Sequence, residues 1–213
     1  MPSSEAILSG LTTIANDWQQ LALVWHAWLA ALIVALLAGW RPSNRITGAV
    51  LIAPILSVSA LARASGNPFN AAAFAILAIA LAIVANRLSN ERVHVASSFP
   101  LASGTLLVAF GWMYPHFLSA ESWAAYAYAS PLGLVPCPTL SVLIGVTLIL
   151  DRLGSTAWCT TLIAAGFVYG AIGVFRLGVV LDYGLLAGIG VLAAVALRGH
   201  RMWDPNRILT TAG

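Results

Sequence analysis

A cysteine held between two prolines is the most distinctive chemical feature of the chain. Pro136-Cys137-Pro138-Thr139 lies within the run SPLGLVPCPTLSVLIGVTLIL, from Ser130 to Leu150. Proline is tolerated in the first turn of a helix, where its missing N–H would have no intrahelical partner, so a helix is expected to begin at Pro136. The Cys137 thiol then sits at the positive end of a helix dipole, a setting in which thiols can react. The expectation is a half-buried residue at the mouth of a bundle. The plainer reading is a cysteine that simply packs.

Other polar groups interrupt apolar runs at comparable depth: His26, Tyr114-Pro115-His116, Tyr169 and Asp182-Tyr183. Asp182 carries the most weight, because a carboxylate below a membrane interface is costly and must find a partner. One reading pairs it with Arg176 or Arg63. The other makes it a proton or cation site in an outward cavity, with Arg176 as its gating partner. His26, His116 and Cys137 together form a donor set for copper(I), zinc or haem, since imidazole and thiolate are soft-metal ligands. Against that, no H-x-x-H or C-x-x-C spacing fixes two ligands on one helix face. H-E-x-x-H, G-x-S-x-G and phosphate-loop patterns are missing, so the sequence leans away from an enzyme.

These groups need elements to hold them, and the composition says what kind. Of 213 residues, 60% are hydrophobic and 8% charged, against about 25% charged in a soluble domain. The expected fold is all-α, with seven transmembrane helices at 21–40, 46–62, 69–85, 99–117, 132–150, 156–175 and 179–197. Residues 1–20 form an extracytoplasmic segment, 21–198 the membrane domain and 199–213 a cytoplasmic tail. Ile7, Leu11, Ile14 and Trp18 recur at helical spacing, which predicts an amphipathic surface helix, with a disordered tail as the alternative. The first residues lack the basic start and cleavage site of a signal peptide. Pro54 is expected to kink the second span, with Ser57 and Ser59 satisfying the freed backbone.

All ten basic residues are arginine, which excludes a retinal protein, whose Schiff base needs lysine. Eight of them (Arg41, Arg45, Arg87, Arg92, Arg152, Arg198, Arg201, Arg207) fall on one side of the seven spans and two, Arg63 and Arg176, on the other. The N-terminus is therefore expected outside and the C-terminus in the cytoplasm. A net charge of +3 without a basic run argues against nucleic acid as a partner. Two cysteines give no disulfide framework, and Cys159 falls at the far end of its span from Cys137. Gly166-x-x-x-Gly170 and Gly184-x-x-x-Gly188, with a weaker Ala27, Ala31, Ala35 stripe, mark faces for close helix contact, within the chain or with another membrane subunit or a second copy.

Gly111-Trp-Met-Tyr114-Pro-His116 followed by Leu132-Gly-Leu-Val-Pro136-Cys-Pro-Thr139, and later Gly178 to Tyr183, resemble a family of bacterial multi-pass membrane proteins known as a domain of unknown function. The likeness covers roughly residues 105 to 197. It implies residence in a bacterial inner membrane and draws attention to Tyr114, Cys137, Pro138 and Asp182 without naming a ligand.

The expected pocket lies in the outer half of the bundle, lined by spans one, four, five, six and seven. Tyr114, Pro136, Cys137, Pro138, Thr139, Tyr169, Arg176, Asp182 and Tyr183 are its candidate residues. The leading expectation is a permease or ligand-binding membrane protein. The alternatives are a haem- or metal-binding redox subunit using His26, His116 and Cys137, and a structural accessory subunit with no ligand.

Overall fold

The computed structural model describes residues 3–120 and 122–202, the last four by backbone alone. Trp203, Arg207 and the expected tail beyond 202 lie outside the described residues. Helices follow one another as α1 (Ser4–Asp17), α2 (Gln19–Leu37), α3 (Asn44–Leu51), α4 (Ala53–Ala64), α5 (Pro68–Ala85), α6 (Ser98–Trp112), α7 (Trp123–Ala129), α8 (Pro136–Ile149), α9 (Thr156–Ala171) and α10 (Asp182–Met202). Among the described residues no strand forms.

The bundle is built around α8. Val135 caps it in an extended conformation, as residues before proline prefer. Pro136 and Pro138 fall in the first turn, where no intrahelical N–H is lost. Every residue from Pro136 to Leu148 is buried, as expected of a helix apolar all round. Its hydroxyls are satisfied locally: Thr139 Oγ1 donates to Val135 O (2.8 Å) and accepts from Gly133 N (2.9 Å), and Ser141 Oγ donates to Cys137 O (2.9 Å). Thr147 Oγ1 accepts from Trp158 Nε1 at 3.1 Å. α6, α9 and α10 pack on α8 and α10 also packs on α9 and α6, while α4, α5 and α3 form a neighbouring group.

Four helical stretches are long and apolar enough to cross a membrane: Gln19–Leu37, Asn44–Ala64, Pro68–Ala85 and Thr156–Arg176. That length and composition mark a membrane protein. All seven expected segments fall on helices, but the fourth and fifth come out shorter than expected, at 15 and 14 residues. α6 stops at Trp112 because Pro115 disfavours helix at Tyr114, and α8 begins only at Pro136. The second segment breaks at Ile52, beside Pro54, as expected. Its serines act otherwise than expected: Ser57 Oγ accepts from Trp25 Nε1 (3.0 Å) and Ser59 Oγ donates to Ala71 O (2.8 Å). They tie α4 to α2 and α5 instead of repairing the kink.

α1 forms, with the Ser3 hydroxyl accepting from Ala6 N at 3.2 Å. Leu11 and Ile14 are buried in one cluster with Leu134 and Val135, just before α8. Its ends are tied down by Ser4 Oγ donating to Arg176 O (3.0 Å), and by Asn16 Nδ2 donating to Phe117 O and Asn16 Oδ1 accepting from Ser119 N, both 2.9 Å. The helix is thus a strap across the end of the bundle where α8 starts.

The glycine pairs read from the sequence are filled within the chain. A Cβ on Gly166 or Gly170 would meet Ile189 or Leu186 of α10, and one on Gly184 or Gly188 would meet Phe110 or Leu107 of α6. A partner using those faces would have to displace an intrachain helix. Ala27 and Ala31 are exposed on α2. The backbones of α6 and α8 come close together, since a Cβ on Gly104 would lie 2.5 Å from Gly145 O and one on Gly145 2.7 Å from Gly104 O.

Candidate functional site

Three elements meet at Asp182. It is the first residue of α10, at a helix N-terminus, where backbone N–H groups favour a carboxyl. It is only 1% exposed, so both oxygens need donors. Tyr114 Oη donates to Oδ1 at 2.6 Å, and Cys137 Sγ donates to Oδ2 at 3.2 Å. Where the sequence suggested an arginine as partner, a phenol and a thiol hold both carboxyl oxygens.

Each donor is held from behind. Tyr114 follows the end of α6 and is fully buried, its backbone carbonyl accepting from Ser130 Oγ at 2.6 Å. Phe110 meets its ring edge-on and Phe117 stacks on it, with centroids 5.5 and 6.3 Å away. Cys137 is carried by the first turn of α8 and is 8% exposed, more buried than the half-buried position expected.

Room for the carboxyl comes from Gly173, in the π-helical turn Ile172–Arg176 that extends α9. A Cβ there would overlap Asp182 Oδ2. π turns recur at functional sites. One turn earlier, Tyr169 Oη donates to Asn70 Oδ1 at 3.2 Å, and its ring meets Phe74 edge-on at 5.0 Å.

These groups face a cavity of about 260 Å³. Ile7 and Leu11 of α1 form its roof, and Asp182, Cys137, Tyr169, Asn67, Asn70 and Arg176 are its polar lining within mostly apolar walls. The N-termini of α5, α8 and α10 converge on it through Asn70, Pro136 and Asp182. Helix N-termini turned toward a cavity recur at the solute sites of membrane carriers. The first helix expected in the wall, α2, is absent from the lining, and α1 with the start of α5 takes its place.

The expected residues separate into three groups. Pro136, Cys137, Tyr169, Arg176 and Asp182 line the cavity, with Tyr114 behind Asp182. Thr139 and Pro138 are buried in the packing of α8, Thr139 closing the turn before it and Pro138 O facing Gly111. Tyr183 is 54% exposed and outside the lining, because the residue after Asp182 turns to another face of α10. His26, His116 and Cys137 do not come together; among the described residues no three His, Cys, Asp or Glu side chains are placed to hold a metal. The His26 ring nitrogens lie 2.8 Å from Ala22 O and 3.0 Å from Trp112 O, so whichever nitrogen carries the proton donates to a backbone carbonyl. His116 lies against Phe117. Both cysteines are free.

Gly173, Ser130 and Asn70 were not among the expected site residues. Asn70 carries a signal, a lone amide at the start of an apolar helix. Gly173 is one of 18 glycines and carries none.

No family model, curated protein or solved structure matches the chain, so the resemblance drawn from Tyr114-Pro115 and Pro136 to Thr139 rests on those residues alone.

Proposed function

We propose that this is a small-solute binding membrane protein of the permease kind. It takes a largely apolar molecule bearing a hydrogen-bond donor or cationic group into the cavity beneath α1. The observation that carries the reading is Asp182, whose carboxyl lines an apolar cavity while a phenol and a thiol hold its two oxygens. A buried carboxyl in a membrane helix bundle is costly, and such groups mark solute or proton pathways. Its role here is the polar anchor for the solute, with the apolar walls selecting size.

The same reading sets the protein in a bacterial inner membrane with seven crossings. The end carrying α1, Arg63 and Arg176 faces out, and the end carrying most arginines faces the cytoplasm. Solute then enters from outside, under or past α1. The test is solute flux into proteoliposomes by wild type beside Asp182→Asn, across a panel of small amines, neutral donors and carboxylates. Selective uptake of one class, abolished in the variant, supports the reading; equal background flux in both rules it out.

A further inference from the structure

A second cavity lies away from Asp182, between α2, α6 and α8. α2 is fastened to the bundle through its N-terminal half, where His26 Nε2 lies 3.0 Å from Trp112 O and Trp25 Nε1 donates to Ser57 Oγ. Toward its C-terminal end it stands off from α6 and α8, leaving a groove of about 490 Å³. Leu32 and Leu36 form one wall, Leu101 and Val108 of α6 the other, and Val146 and Ile149 of α8 the floor. Leu37 and Thr105 stand exposed at its lips. The Thr105 hydroxyl is spent on Leu101 O at 2.9 Å, so the walls offer little besides hydrocarbon.

Arg41 is the exception. It lines the groove just beyond the end of α2, and its Nη1 donates to the carbonyls of Leu36 and Trp40, which fixes the guanidinium there. The loops at this end are braced: Val93 N donates to Pro42 O (2.9 Å), Asn44 N to Glu91 O (2.9 Å) and Ala96 N to Ile149 O (2.8 Å). Arg45, Arg87, Arg92 and Arg152 belong to the same end, against Glu91 and Asp151. An apolar slot ending in a planar, permanently charged fork suits a molecule with a long hydrocarbon chain and a phosphate at its head.

We propose that this groove binds an anionic diacyl phospholipid of the surrounding membrane, with one acyl chain between α2, α6 and α8 and its phosphate on Arg41. Basic pockets between membrane helices are a recurring form of lipid recognition. The site rests on the chain's residence in a membrane and is independent of the solute reading, since it shares no lining residue with the Asp182 cavity.

The test titrates detergent-purified protein with phosphatidylglycerol or phosphatidylcholine of identical acyl chains and reads binding by native mass spectrometry. Wild type is expected to bind one phosphatidylglycerol about fivefold more tightly than phosphatidylcholine, the effect of roughly one arginine near a lipid headgroup. Arg41→Gln removes that preference. Arg45→Gln, which deletes the same charge at the same end but outside the groove, retains it. Thr105→Trp fills the slot from its lip and abolishes binding of both lipids; it leaves Arg41 and the end of α2 intact, so it decides the matter if Arg41→Gln fails to fold. The proposal is overturned by wild type showing no preference, by equal losses in Arg41→Gln and Arg45→Gln, or by full binding in Thr105→Trp.

Discussion

At the scale of single residues, the site depends on Asp182 having two donors and room to receive them. Tyr114→Phe removes one donor without changing shape, and a buried acceptor left unpaired costs about 1–3 kcal/mol. A lower melting temperature in detergent is expected, and an unchanged one would show that the 2.6 Å bond contributes nothing. Gly173→Ala puts a methyl group where the Asp182 carboxyl lies. Displacing it is expected to cost about 1–3 kcal/mol and to weaken any solute binding, read together by thermal stability and ligand-induced shift. Asp182, Tyr114 and Cys137 were legible in the sequence because a carboxylate, a Tyr-Pro and a Pro-Cys-Pro stand out from apolar runs. What held Asp182 was not legible: a charge rule names arginine, and only the packing shows that a phenol and a thiol reach it first. His26 misled for a related reason. An imidazole looks the same in sequence whether it holds a metal or donates to a backbone carbonyl.

At the scale of elements, α8 is the axis and α6 its closest neighbour. Gly104 and Gly145 bring their backbones together, each facing the other's carbonyl. Gly145→Val should therefore force the helices apart and cut the yield of folded protein sharply, whereas Gly190→Ala, at a position with open space around it, should be neutral or stabilising by up to about 1 kcal/mol. Fluorescence-detected gel filtration of both variants checks this; equal behaviour would contradict the packing. The sequence pointed to the glycine pairs of α9 and α10, since x-x-x spacing is visible there. It gave no sign of Gly104 and Gly145, which face each other from different helices and form no local pattern. The turn from α8 to α9 was equally hidden. Asp151, Arg152 and Leu153 all adopt positive φ, a left-handed turn that only Gly154 advertises.

At the scale of the whole molecule, hydropathy located the helices because lipid-facing and buried residues are both apolar. It overstated α8 because burial by protein reads the same as burial by lipid, and α6 because Pro115 ends the helix before the apolar run does. The proposed topology has a direct check. Reporter fusions after Arg92 and after Gly154 are expected to show cytoplasmic activity, and fusions after Ser65 and after Gly178 extracytoplasmic activity. The reverse pattern would turn the cavity to face the cytoplasm and refute the outside route for solute.

The most direct measurement is a thermal-shift screen of small amines, neutral hydrogen-bond donors and carboxylates on purified wild type, repeated on Asp182→Asn. The expected result is one chemical class that stabilises wild type in a concentration-dependent way and leaves Asp182→Asn unmoved, although that variant is folded. Stabilisation of the two proteins alike, or of neither by any compound, would contradict a solute site anchored on Asp182.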